Sequence, residues 1–247
     1  MKRLINHMRQ LFGRTSVTAN AKPQPDVVEV DQTIADIRAA RLSYCGPPKL
    51  ENIAQALLQV RSEGVPGRYI EAGVALGGSA ILLGLLKPAD VQLELYDVFA
   101  MIPPPGENDG HDAHQRYEEI RSGTSTGLGT DEYYGYVEGL LDKVKGNLRR
   151  FGLPPEGGTI QLVPGLFEDT LHPVGPVALA HIDCDWYDSV RVCIERIAPQ
   201  LAPGGVIIFD DYSSYSGCQR AVDEWLAQDR TMETIFHRRS LGVRRVN

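Results

Sequence analysis

Residues 68–86 read RYIEAGVALGGSAILLGLL. A short β-rich run reaches Glu71. Gly73, Gly77 and Gly78 follow, and an apolar stretch of helical length closes the segment. Strand, glycine turn and helix form the opening unit of a parallel α/β sheet, whose ligands bind beyond the carboxyl ends of the strands. The glycines allow a ligand close to the backbone, and the helix start offers free N–H groups to a carboxylate or phosphate. Close packing of strand on helix explains the same glycines. As a dinucleotide fingerprint the pattern is imperfect, with Ala75 in place of the middle glycine.

Working outward, residues 34–60 carry a helical pattern broken at YCGPPK, residues 44–49. Downstream, VQLELYDVF (91–99) reads as a second strand ending at Asp97, TIQLVPG (159–165) as a third, VALAHIDCD (177–185) as a fourth and GGVIIFDDY (204–212) as a fifth. Amphipathic helices fall over 133–152, stopped at Gly152, over 190–201 and over 218–228, and the tail from Met232 reads as a terminal strand pair. The expected architecture is a doubly wound, mostly parallel sheet with an antiparallel pair at its end. The Gly/Pro-rich residues 100–132 are too long for an ordinary connection, so an active-site lid, partly mobile without ligand, is expected.

With 247 residues, 43% of them hydrophobic, the chain can build one sizeable core. Its net charge of -7 argues against a nucleic-acid surface. Cys45, Cys184, Cys193 and Cys218 show no C-x-x-C spacing, which suits free thiols in a reducing, cytoplasmic setting. Near the N-terminus Leu4, Ile5, Met8, Leu11 and Phe12 recur at helical spacing between basic residues. That stripe suits docking on the body or on a second subunit, hence a homodimer or higher homo-oligomer, with a membrane-surface helix as the alternative. Residues 1–60 are taken as a helical extension and connector, and 61–247 as the functional domain.

The chemistry concentrates at strand ends. HIDCDWYDSV (181–190) sets Asp183, Asp185 and Asp188 after an apolar run, and the fifth strand ends in Asp210 and Asp211. Neighbouring fourth and fifth strands bring Asp183, Asp210 and Asp211 together. Carboxylates packed so closely repel unless a cation compensates, and a hard divalent ion such as Mg²⁺ suits an all-oxygen set. Helix caps and a surface turn are the lesser alternative, and Asp188 is best read as a first-turn acid. Glu71 is placed to meet a cationic ligand and Asp97 to accept from ribose hydroxyls. Ribose binding alone leaves both a nicotinamide oxidoreductase and an adenosyl-cofactor enzyme open, but the former leaves the acids unexplained.

Six blocks in order, YIEAGVALGGSAIL, LYDVFAMIPPPGENDG, GLFEDTL, HIDCDWYDS, LAPGGVIIFDDY and GCQRAVDEW, resemble the macrocin O-methyltransferase (TylF-like) family. The resemblance runs from Tyr69 to Trp225, with LENIAQAL upstream, and implies a Rossmann-like class I methyltransferase fold. It implies methyl transfer from S-adenosylmethionine to a sugar hydroxyl of a natural product, with a phenol or catechol as the alternative acceptor. By position, Glu71, Gly73 and Ser79 would surround the methionine part of the cofactor, Asp97 its ribose, and Gly165, Leu166 and Phe167 its adenine, with Gly77 also among the cofactor-binding residues. Asp183, Asp210 and Asp211 would hold Mg²⁺. Asp183 would also border the cofactor, and Asp185 would act as base or orient the acceptor, ahead of His111 or His114. The chain departs from the family at Cys184, commonly glycine, and at Ala75 and Leu76.

Overall fold

The computed structural model describes residues 27–246. The apolar stripe at residues 4–12 lies outside them. Two helices come first, α1 (Val27–Ala39) and α2 (Pro47–Ser62). Then β1 (Arg68–Ala72), α3 (Gly78–Leu86) and β2 (Leu93–Asp97) complete the opening unit. After them come α4 (His111–Arg121), α5 (Leu140–Arg150), β3 (Ile160–Pro164), the short α6 (Phe167–Thr170) and β4 (Val177–Ile182). The chain ends with α7 (Tyr187–Ile197), β5 (Leu201–Phe209), α8 (Ser216–Gln228), β6 (Met232–Arg238) and β7 (Ser240–Arg245).

The seven strands form one sheet in the order β3-β2-β1-β4-β5-β7-β6. β1 to β5 pair in parallel, and β7 enters antiparallel between β5 and β6. The order reverses between β1 and β4, the switch point where a doubly wound sheet opens a crevice for ligands. β1, β2 and β4 are buried along nearly their whole length, and Glu71, Glu94, Asp97 and His181 are buried with their apolar neighbours.

Two apolar layers sandwich the sheet. On one face Leu50, Ile53, Leu57 and Val60 of α2 pack with Ile81, Leu82 and Leu83 of α3 against Leu93, Leu179 and Val206. On the other, Val190, Ile194 and Ile197 of α7 and Val222 of α8 cover Ile70, Ala180 and Ile207. The spacing of the α2 residues, three and four apart, turns one stripe of that helix inward. Pro47 and Pro48 start it, where a missing N–H costs nothing. Asn52, also buried, donates 2.7 Å to the Arg238 carbonyl and 2.8 Å to Ser240 Oγ, tying α2 to the terminal strand pair. Thus α2 is part of the same core as the sheet, and its first turn is held at the strand ends.

Residues 100–132 are not a structureless loop. They contain α4 and are tied down along their length. Trp186 Nε1 donates to the Pro103 carbonyl at 2.9 Å, the Tyr187 N–H to Asp109 Oδ1 at 2.7 Å, and the Ser216 N–H to Asp112 Oδ2 at 2.7 Å. Tyr136, on a single 3-10 turn at Tyr134–Tyr136, closes the far side by donating to the Ile120 carbonyl at 2.6 Å. The amphipathic segment starting at Tyr133 therefore becomes helical only from Leu140. No helix among the described residues is long and apolar enough to cross a membrane.

Candidate active site

The parallel register carries Ile182 beside Phe209, so Asp183 and Asp210 emerge side by side where β4 and β5 end. The Asp210 N–H donates to the Ile182 carbonyl at 2.9 Å and the Asp183 N–H to the Ala72 carbonyl at 2.8 Å, which fixes both backbones. One carboxylate oxygen from each of Asp183, Asp210 and Asp211 lies within 4.8 Å of the others. Asp210 Oδ1 and Asp211 Oδ2 are buried with no hydrogen-bond partner. Burial, followed by the charges of Asp210 and Asp211, pushes Asp183 well above the usual carboxylate range. Burial also pushes Asp185 up, and Asp211 adds to the shift.

Asp210 behaves differently. Burial alone would raise it, but the His181 imidazole and the Lys49 ammonium more than offset that, and its carboxyl titrates below the usual value. Lys49 Nζ sits 2.5 Å from Asp210 Oδ2 and 3.4 Å from Asp211 Oδ1. Burial disfavours the ammonium, yet the Asp211 and Asp210 charges hold it charged beyond the usual lysine range. Neither Lys49 nor His181 was singled out from the sequence. A cation in the first turn of a helix opposes the helix dipole, and that misplacement was the available signal.

A cavity of about 400 Å³ opens at the carboxyl ends of β1, β2 and β4. Gly73, Asp97, Gly165, Leu166, Phe167, Asp183, Asp185, Trp186 and Asp188 line it, as do Ile102 and Pro103 of the lid and Tyr134 just after it. Gly73 is required by crowding. Its φ is +93°, and a Cβ there would lie 1.8 Å from the Asp183 carbonyl oxygen. Asp185 also takes a left-handed backbone, with φ 60°, a conformation that aspartate tolerates better than most side chains and that often marks a working site.

Not every expected residue reaches this wall. Asp97 does, but its carboxylate also accepts the N–H groups of Val74 at 2.6 Å, Ala75 at 3.1 Å and Phe99 at 2.7 Å, so it braces the glycine turn. Glu71 is fully buried beneath the wall. Its register partner on β4 is His181, and Glu71 Oε1 lies 2.9 Å from His181 Nδ1. Burial opposes charge on that imidazole, but Asp210 and Glu71 on either side raise its pKa to about 10. Gly77 and Ser79 stand behind the cavity at the start of α3, with Ser79 buried, and Asp210 and Asp211 stand behind Asp183. His111 and His114 are exposed on α4 and do not border the cavity. Tyr133 packs edge-on against Tyr44 and Tyr136, while Tyr134 alone of the three lines the cavity.

A crevice at the switch point, a glycine turn braced by a strand-end aspartate and a carboxylate cluster at the next strand ends together suit group transfer to a bound small molecule. The family model of the macrocin-O-methyltransferase (TylF) matches residues 6–243. The chain belongs to this family. It is an O-methyltransferase by the same match, and its relatives agree. It is 32% identical over 204 residues to 8-demethyl-8-(2,3-dimethoxy-alpha-L-rhamnosyl)-tetracenomycin-C 4'-O-methyltransferase of Streptomyces olivaceus, covering 80% of this chain and 72% of that protein. A second relative, demethyldecarbamoylnovobiocin O-methyltransferase of Streptomyces niveus, is 32% identical over 189 residues, 74% of this chain and 67% of that one. The solved O-methyltransferase NovP superposes with a TM-score of 0.72 at 26% identity, covering 89% of this chain and 99% of NovP. The oxidoreductase alternative falls with this membership, and the methyltransferase sheet, with its antiparallel end, is the architecture expected of the strand order.

Proposed function

We propose that this methyltransferase moves a methyl group from S-adenosylmethionine to a hydroxyl of a sugar on a small-molecule natural product, with Mg²⁺ held by Asp183, Asp210 and Asp211. One observation carries the reading. Three carboxylates from two separate strand ends converge, Asp183 on the wall of a cavity of ligand size and the other two outside its lining, with two buried oxygens unpartnered. Such oxygens are costly to bury alone, about 1–3 kcal/mol each, and a hard cation would satisfy them. Support for the sugar comes from the relative of Streptomyces olivaceus, whose name carries a rhamnosyl group.

The donor fits the cavity between Gly73 and Gly165–Phe167, with Asp97 at the position for ribose hydroxyls and Asp183 alongside. A sulfonium methyl is already activated, so the protein's task is to present an oxygen nucleophile in line behind it. A divalent ion on the three aspartates would supply acidity to the acceptor hydroxyl. Asp185, raised by burial and aimed by its left-handed backbone, is the group that takes the proton. Trp186 and Tyr134 wall the acceptor side, and the Trp186–Pro103 hydrogen bond holds the lid segment across the opening. Excluding water there keeps the two reactants aligned, and ideal alignment alone contributes about 7–11 kcal/mol.

The test is transfer of labelled methyl groups to a panel of glycosides and phenols, with and without EDTA, in wild type and in Asp211→Asn. Labelling of glycosides that chelation abolishes supports the reading. Undiminished transfer after chelation would remove the metal from it, and labelling confined to phenols would replace the acceptor.

A further inference from the structure

Beneath the oxygen set lies a second group of donors. Cys45, in the bend between α1 and α2, joins His181 of β4 and Asp210, and their Sγ, Nε2 and carboxylate oxygen lie within 4.8 Å of one another. The three residues are 6%, 0% and 2% exposed. Cys45 Sγ is 3.7 Å from Asp210 Oδ2, and His181 Nε2 is 3.6 Å from Asp210 Oδ1, too long for a hydrogen bond.

Two features distinguish this group from ordinary packing. His181 Nε2 and Asp210 Oδ1 are both buried without a partner, and both face the gap that Cys45 closes. In addition, His181 already has a carboxylate on its other nitrogen, Glu71 Oε1 at 2.9 Å. A ligating histidine is normally oriented in this way, because the bond to Nδ1–H sets the tautomer and leaves the Nε2 lone pair for the ion.

We propose that Cys45, His181 and Asp210 form a site for a borderline divalent ion such as Zn²⁺ or Co²⁺, sharing Asp210 with the all-oxygen set. Sulfur and imidazole donors select such ions over Mg²⁺, which takes oxygen. Asp183 Oδ2, 3.5 Å from Cys45 Sγ and on the cavity wall, is a fourth donor and marks the route of entry. Coordination releases the Cys45 thiol proton and the Nε2 proton of the His181 imidazolium to solvent. Because Asp210 serves both sets, an ion here draws it away from the oxygen set, so Zn²⁺ antagonises binding there. The site rests on geometry alone and not on the donor or acceptor proposed above.

The experiment is a titration of Co²⁺ into the full-length, chelator-stripped protein, followed by absorption, beside Mn²⁺ binding followed by paramagnetic resonance. A thiolate-to-cobalt charge-transfer band in the near ultraviolet is expected, together with the visible bands of tetrahedral coordination. Cys45→Ser loses the ultraviolet band. Glu71→Gln, which touches no ion, weakens Co²⁺ binding about 10–100-fold. Asp211→Asn keeps the band and weakens Mn²⁺ binding. A spectrum without the band, or a band that survives Cys45→Ser, overturns the site. If Cys45→Ser does not fold, unchanged Co²⁺ affinity in Glu71→Gln overturns it as well. The thiolate band can come only from this site, because the oxygen set holds no sulfur, and Mn²⁺ resonance follows the oxygen set, so failure of this site and failure of the Mg²⁺ reading appear in different signals.

Discussion

Lys49 Nζ, in the first turn of α2, lies 2.5 Å from Asp210 Oδ2 at the end of β5, a partner 161 residues along the chain. It also reaches Asp211. Without a bound ion, this ammonium is the nearest counter-charge to carboxylates that would otherwise repel, and any divalent ion entering must compete with it. Removing one partner of a buried ion pair costs about 3 kcal/mol at the low end of the usual range, apt here because Lys49 keeps 20% of its side-chain exposure. Lys49→Met should therefore destabilise the metal-free protein by about that much in urea melts. It should also tighten Mn²⁺ binding in calorimetry. Unchanged affinity would mean that Lys49 does not compete for the site.

Asp185 is the residue expected to take the acceptor proton. Asp185→Asn keeps the shape of the wall and removes the base. Its kcat should fall about 10²–10⁴-fold. Binding of S-adenosylhomocysteine should stay within a factor of about 2, because the charge removed acts on the acceptor rather than on the donor. Loss of donor affinity in step with rate would assign Asp185 to binding instead.

Gly73, just past β1, packs directly against the backbone of Asp183, just past β4. Gly73→Ala puts a methyl group against the Asp183 carbonyl in a backbone region that alanine avoids. Strain and overpacking together should lower stability by about 2–5 kcal/mol. Donor binding should be lost as well, since Asp183 must shift. A melting temperature within about 2 °C of wild type would show that the strand ends give way freely.

Asp112 clamps the lid helix α4 to the start of α8, accepting from the Ser216 N–H at 2.7 Å and from Ser216 Oγ at 2.8 Å. Although its slight burial acts to raise the pKa, the Ser216 backbone and hydroxyl hydrogen bonds lower it below the ordinary 3.8. A group depressed in the folded state stabilises above its unfolded pKa, and that contribution is lost as pH falls through the folded value. The clamp is therefore fully present above the ordinary carboxylate value and is lost only as pH falls below 3.8 through the depressed folded value. Hydrogen exchange of α4 amides should quicken several-fold on acidification relative to those of α7. In Asp112→Ala the amides should be quick at every pH.

Much of the fold was legible in the chain because local pattern and tertiary role agree. The run from Arg68 to Leu86 alternates strand, turn and helix as its residues dictate, and β1, β2 and β4 are buried on both faces. Asp183, Asp210 and Asp211 could be brought together in advance because parallel neighbours must end on the same edge. Position along a strand does not say which neighbour a side chain meets, and Glu71, expected beside a cationic ligand, meets His181 across the sheet. The lid lacked an apolar periodicity, so α4, with only Ala113 and Ile120 buried, was missed.

From the order and periodicity of its residues alone, this protein was bound to fold as a doubly wound sheet with carboxylates at adjacent strand ends, because hydrophobic period and chain connectivity are local facts. Which charges answer those carboxylates was settled only by packing. The α2 stripe of Leu50, Ile53 and Leu57 buries against the sheet and thereby carries Lys49 and Cys45 to Asp210. Electrostatic partners found through space across most of the chain leave no periodic trace in the sequence.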